Sequence, residues 1–246
     1  MAAGRGRLPP TPKTQTDKAI IMTDRIRSIL QQLEQVREDL LALSDDIWLS
    51  IDHNDNQALQ EGVAFKKEYN AKVAAFDQLA GELSALVQQF TAVKLDDVVA
   101  SPNQTPQSTE RIIRDLDQRQ AYGLEEDLTF KRPYGFQLGD TAQAKVNTWR
   151  RLYELICLHL ERRDSQRFAR LPDTPGFTTR RGNSFFSRDP QALRSAMALP
   201  AGVYAEVNLS ANHLRDQIKA LLDAFGIERQ ALRIFLRQDR DAEGED

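Results

Sequence analysis

The sequence predicts an α+β protein, an N-terminal antiparallel helical (coiled-coil) hairpin followed by a small mixed α/β domain with a C-terminal βαβ unit. Three observations predict it. Apolar residues repeat in alternating steps of four and three over most of the first ninety residues, the pattern of a seam between packed helices. The stretch SPNQTPQST, 101–109, then carries two prolines and no apolar residue, which marks a boundary. Beyond it, short alternating runs mix with capped helices.

Residues 1–21 are basic and rich in Pro, Gly and Thr, without the apolar centre of a secretory signal, and read as a disordered arm. In the hairpin, 22–95, the first seam is Ile26, Ile29, Leu33, Val36, Leu40, Leu43 and Ile47, with Arg37, Glu38, Asp39, Asp45 and Asp46 off it. After the polar break SIDHNDNQ the second is Tyr69, Val73, Phe76, Ala80, Leu83, Val87 and Phe90. Leu30, Leu41, Trp48, Phe65, Leu79 and Leu86 lie outside a single seam, so two helices alone leave apolar surface over. A second copy making a four-helix bundle is the economical partner, with Ile26, Ile29, Leu33, Val36, Leu40, Leu43, Tyr69, Val73, Phe76 and Leu83 as the dimer interface; packing against the C-terminal domain is the alternative.

After the linker, 96–110, the domain covers 111–238. Ser108 or Thr109 caps a short helix through Ile112, Ile113 and Leu116. YGFQLGDTAQAKV alternates Tyr134, Phe136 and Leu138, turns at Gly139 and Asp140 and resumes towards Val146, a β-hairpin. Asn147 or Thr148 caps a helix with Trp149, Leu152, Tyr153, Ile156, Cys157 and Leu160 on its apolar stripe. Asp189 before Pro190 signals a helix start, so Gln191–Ala198 is expected as a short helix. Val203–Asn208 then reads as a strand, Ser210 as the cap of a helix ended by Gly226, and LRIFL as a second strand, for which a right-handed parallel crossover is the default. Residues 239–246 form an acidic tail.

With 41% hydrophobic and 28% charged residues in 246, the chain suits soluble folded domains, and its longest apolar runs fall far short of a membrane span. Cys157 is the only cysteine, which excludes an intramolecular disulfide and points to a reducing cytoplasm. The net charge of −3 hides an asymmetry. Seven Lys/Arg face twelve Asp/Glu between Met22 and Leu95, whereas eight arginines (162, 163, 167, 170, 180, 181, 188 and 194) face only Asp164, Asp173 and Asp189 further on.

The centre of that basic segment is FTTRRGNSFFSRDP, Phe177–Pro190. Guanidinium groups pair bidentately with phosphate, hydroxyls donate to it and an exposed phenylalanine stacks on bases, so Arg180, Arg181, Asn183, Ser184, Phe185 and Arg188 are candidate contacts with nucleic acid or a partner, joined by Arg162 and Arg163. Lys131, Arg132, Lys145, Arg150 and Arg151 extend the surface if they share its face. Asp189 opposes phosphate capture at the next helix start, and one of Phe185 and Phe186 is expected in the core, since adjacent strand residues point to opposite sides. Neutralised by aspartates, the same run is a protein interface instead.

Together, TWRRLYELICLHL, RRGNSFFSR and VYAEVNLSANHLRDQIKALLDAFGI, within residues 134–236, resemble a small C-terminal α/β domain that recurs in bacterial mobile-element and phage-defence proteins. The resemblance implies an accessory role beside DNA-processing machinery, with nucleic acid or a nucleic-acid-bound effector as partner. Catalytic signals are weak. Cys157 and His159 fall roughly 200° apart on a helix, no His/Cys set has metal-ligand spacing, and no Walker loop or GxSxG elbow occurs. Glu206 with Asp140 is the one nuclease-like option, but Asn208 stands where a lysine would polarise the water, and Glu206 reads as an exposed strand residue. The expectation is a dimeric, non-enzymatic contact protein without cofactor or metal.

Overall fold

The computed structural model describes residues 15–93, 106–178 and 184–237. The arm up to residue 14, most of the linker and the acidic tail lie outside the described residues, as do Arg180, Arg181 and Asn183.

Two long helices form the N-terminal hairpin, α1 (Gln15–Leu49) and α2 (Asn56–Thr91). The helix thus begins inside the segment read as arm, with no proline after Pro12 to stop it. Asp55 caps α2, its carboxylate accepting from the amides of Gln57 at 2.8 Å and Ala58 at 3.3 Å. The helices run antiparallel in a register fixed by cross-contacts: the Tyr69 hydroxyl donates to the Leu40 carbonyl at 2.9 Å, Lys66 Nζ to the Ser44 hydroxyl at 2.6 Å, and Arg37 pairs with Asp77. Val36 is therefore level with Phe76, Ile29 with Leu83, Met22 with Phe90 and Leu43 with Tyr69.

The heptad seam splits in this register. Ile26, Leu33, Leu40, Tyr69 and Phe76 are half-buried and Val73 is buried against the opposing helix, but Ile29, Val36, Leu43 and Leu83 stay exposed. Met22, Phe65, Leu79, Leu86 and Phe90 join them, with exposures from 40% for Leu43 and Phe65 to 90% for Phe90. Steps of seven on α1 and of four and three on α2 place these residues on one side of the hairpin.

The domain holds α3 (Pro106–Leu116), β1 (Ala121–Tyr122), β2 (Pro133–Leu138), β3 (Thr141–Ala144), α4 (Trp149–Arg163), α5 (Ser165–Phe168), β4 (Phe186–Ser187), β5 (Ala196–Leu199), β6 (Val203–Glu206), α6 (Ala211–Ala224) and β7 (Leu232–Leu236). Its strands form two antiparallel sheets, ordered β1-β7-β2-β3 and β4-β6-β5. Helix α4 contacts β2 of one sheet, β5 of the other and α6. That position explains why Trp149, Leu152, Tyr153, Leu155, Ile156, Cys157 and Leu160 are all buried. The α+β class and the helical hairpin match the sequence reading.

Several details do not match. The strand–helix–strand order at the C-terminus is present, but β6 and β7 belong to different sheets, so the expected parallel βαβ pairing is not formed. The expected helix at Gln191–Ala198 is only a 3-10 turn, Pro190–Ala192; Ala196–Leu199 instead pairs edge to edge with β6. Asp189 still caps the turn through the Gln191 amide. The first domain helix starts at Pro106, a residue favoured in a first turn, rather than at Ser108 or Thr109. The β2–β3 hairpin turns at Gly139, φ +57°, as expected, but a register shift between Pro133 and Gly135 moves Tyr134 to the other side of the sheet from Phe136 and Leu138. There it packs with α3, its hydroxyl donating to Asp115 at 3.0 Å.

Candidate functional site

Between the hairpin and the domain lies a cleft of about 1290 Å³. One wall is α2, with Ala74, Gly81 and Ala85; the other is the three-stranded sheet and its loops, with Ser184, Phe185, Arg194 and Asn208. Small α2 residues keep that wall low, and α1 forms the base.

Helix α1 ties the base to the domain through polar contacts. The Arg37 guanidinium, 2% exposed, donates to the Val207 carbonyl at 2.6 Å and to Glu34 at 3.1 Å, besides its pair with Asp77. Burial alone would lower its pKa, but the Glu34 and Asp77 carboxylates more than offset this and hold the charge in place. One residue on, Glu38 is fully buried and accepts from the Arg150 amide at 3.1 Å. Burial, reinforced by the Glu34 charge, pushes its pKa up to about 8. Two turns further, Asp45 accepts from the Ser210 hydroxyl at 3.3 Å and lies 3.4 Å from His213. Ser210 does stand at the N-cap of α6, but its hydroxyl serves this contact instead of the helix amides.

The described ends of the candidate segment lie beside the same cleft: Thr178 and Ser184 pair as an isolated antiparallel bridge, and Ser184 lines the cleft. Phe186 is the core aromatic, edge-on to Phe177 at 5.1 Å and Phe168 at 6.4 Å. Phe185 is half-buried, its amide bonded to the Phe177 carbonyl and its carbonyl to the Glu206 amide. Arg188 is exposed but engaged bidentately by Asp173, at 2.9 and 2.7 Å, and by the Ala169 carbonyl at 3.0 Å. Arg162 and Arg163 end α4, whose first turn, with Arg150 and Arg151, faces the cleft; twelve residues at about 1.5 Å each put Arg162 about 18 Å from Arg150 along the axis. The predicted basic set is thus divided: Ser184 and Phe185 lie at the cleft, Arg188 is held by an aspartate, and Arg162 and Arg163 are at the far end of a helix.

Arg194, counted in the basic run but not among the candidates, lines the cleft, and its guanidinium has no partner among the described residues. Glu206 corrects the sequence reading most sharply. It is buried rather than exposed, and it accepts from the amides of Arg194 at 2.7 Å, Ser195 at 3.2 Å and Asn208 at 2.7 Å. Both carboxylate oxygens are spent on the backbone, which makes Glu206 a clamp for the Arg194 loop. Asp140 is exposed at the turn of the other sheet. Cys157 is buried in the core, where desolvation pushes its thiol pKa well up and suppresses the thiolate. His159 instead meets the Thr141 hydroxyl at 3.1 Å, its pKa lowered by burial and by Arg163 and Arg162. Among the described residues no His/Cys/Asp/Glu group is arranged to hold a metal, and no helix is long and apolar enough to cross a membrane.

Neither a family model nor any characterised protein or solved structure matches the chain.

Proposed function

We propose that this chain is a non-enzymatic, self-associating contact protein: its hairpin pairs with that of a second copy, and its domain holds nucleic acid, or a nucleic-acid-bound protein, at the cleft rim. The observation that supports this reading is the division of the hairpin into two unlike sides, an exposed apolar ladder away from the domain and, towards it, a cleft in which charged side chains stand among apolar ones. Contact at the rim rests on Arg194, Ser184 and Phe185, with Arg180, Arg181 and Asn183 supplied by the adjoining loop. Two rims in one dimer raise the effective concentration of the second contact. The resemblance to a domain of mobile-element and phage-defence proteins agrees with this role, and a reducing cytoplasm suits it.

A mixed-charge cleft favours a second reading, a docking site for a protein segment. Glu34, Asp77 and Glu82 line it together with Lys66, Arg150 and Arg194, and phosphate is repelled by the first three. Anisotropy titrations of labelled single- and double-stranded DNA and RNA between 50 and 300 mM salt distinguish the two. Nucleic-acid contact predicts an affinity that falls log-linearly with salt and weakens on Arg194→Ala, while Arg188→Ala, already held by Asp173, changes little. No affinity even at the lowest salt would sink the nucleic-acid reading and leave protein docking.

A further inference from the structure

We infer that the second copy packs on the exposed apolar side of the hairpin with its turn at the opposite end, so that α1 lies antiparallel on α1 and α2 on α2. The inference rests on the self-association proposed above and specifies its geometry. The available surface is sufficient: with whole-residue areas of about 200 Å², the exposed fractions across this side amount to roughly 1000 Å² per chain, against the ~800 Å² per partner that stable interfaces bury.

Two-fold symmetry allows two ways of stacking such layers, with turns at the same end or at opposite ends. Charge chooses between them. Leaving aside Glu38, buried in the joint with the domain, the turn half, residues 39–68, carries seven acids (Asp39, Asp45, Asp46, Asp52, Asp55, Glu61 and Glu68) against Lys66 and Lys67, a net of −5. The rest of the hairpin, 15–37 and 69–93, carries five acids (Asp17, Asp24, Glu34, Asp77 and Glu82) and five bases (Lys18, Arg25, Arg27, Arg37 and Lys72). Stacking turns at the same end sets −5 beside −5, whereas opposite ends set each acidic half against a neutral one.

On α1 the ladder closes on itself in the second arrangement, and on α2 it meets its own Leu79 and the half-buried aromatics beside it. An axis passing near Leu79 and midway between Ile29 and Val36 brings Ile29 level with Val36 of the second copy, Met22 with its Leu43, Leu83 with its Phe76 and Phe90 with its Tyr69. The same axis sets Arg25 beside Asp39 of the second copy, on the one edge of α1 that both occupy. Stacking turns at the same end would instead put α1 over α2 and leave the two Leu79 residues diagonal.

Sedimentation mass and oxidative cross-linking of the full chain test this, with Cys157 buried and silent. A dimer is expected in which Leu79→Cys alone links to itself and Arg25→Cys/Asp39→Cys links as the double variant but as neither single. Leu79 is 65% exposed, so its replacement leaves the fold intact, which circular dichroism checks. A dimer in which Leu79→Cys stays unlinked while Leu33→Cys/Leu79→Cys cross-links overturns this arrangement and leaves self-association standing. A monomer at every concentration overturns both.

Discussion

Replacing Glu38 by glutamine should stabilise the protein in alkaline solution and do nothing in acid. Glu38 is buried in the joint between α1 and α4, with one carboxyl oxygen on the Arg150 amide and the other without a partner among the described residues. Burial and the Glu34 charge raise its pKa to about 8, with the Arg150 and Trp149 amides and Arg37 pulling only part of the way back. In the unfolded chain the same group titrates near ~4.3. Between those values the folded state holds one proton more than the unfolded state, so stability falls as pH rises, by about 1.4 kcal/mol per unit. The stabilising proton is fully present below about pH 4 and lost above about 8, a span of up to about 5 kcal/mol. Glutamine has nearly the same shape and no proton to lose. Urea unfolding of Glu38→Gln and the unaltered chain at pH 5, 7 and 9 should give curves that differ little at pH 5 and separate progressively, the variant ahead. A difference that is the same at all three pH values would refute the argument, because it would mean that Glu38 does not change its protonation on folding.

Three further outcomes follow from local geometry. Phe186→Ala empties a site enclosed by Phe177, Phe168 and Tyr153 and should cost about 3–5 kcal/mol in urea unfolding. Gly135→Ala places a Cβ 2.4 Å from the Gln143 carbonyl oxygen and 3.1 Å from the Ala144 Cα; both are backbone that cannot turn aside, so a loss of about 1–3 kcal/mol with weakened amide protection in β3 is expected by hydrogen exchange. Glu206→Gln sets a side-chain NH₂ against backbone N–H donors; about 1–3 kcal/mol should be lost, with the amides of Arg194, Ser195 and Asn208 exchanging faster than those of β7.

What the sequence revealed and what it hid divide along physical lines. Heptad spacing, the Thr148 cap and the Gly139 turn are local signals, and each resides where it was read. The seam itself was legible, but not its division: whether Ile29 or Leu33 faces α2 depends on the rotation of the pair, which the contacts of Arg37 and Tyr69 set. Sheet membership was hidden because β4 and β5, the neighbours of β6, are two and four residues long and carry little alternation. Arg37, Glu38 and Asp39 look like a solvated charge run, yet the first two are buried, since only a tertiary partner tells a solvated arginine from one bonded to Val207. Glu206 was misread for the same reason: two of its three amide donors come from residues 11 and 12 positions away in sequence.

The polar character of the joint bears on the proposed dimer. Arg37, Glu38 and Asp45 attach α1 to the domain by directed bonds instead of apolar area. A partly buried polar network of this kind adds less to net stability than to geometry, because desolvation offsets most of its attraction, while each bond fixes an angle. The hairpin is therefore oriented by the domain without lending it its apolar residues, and the ladder from Met22 to Leu43 and from Leu79 to Phe90 remains for another use. Had α1 instead buried Ile29 and Val36 against α6, the same helices would have closed a monomer, and the cleft would have lost its base. The cleft and the uncovered ladder are thus two consequences of one choice of contact, which is why a copy bound on the apolar side leaves the opposite, cleft-bearing side of each hairpin open to a partner.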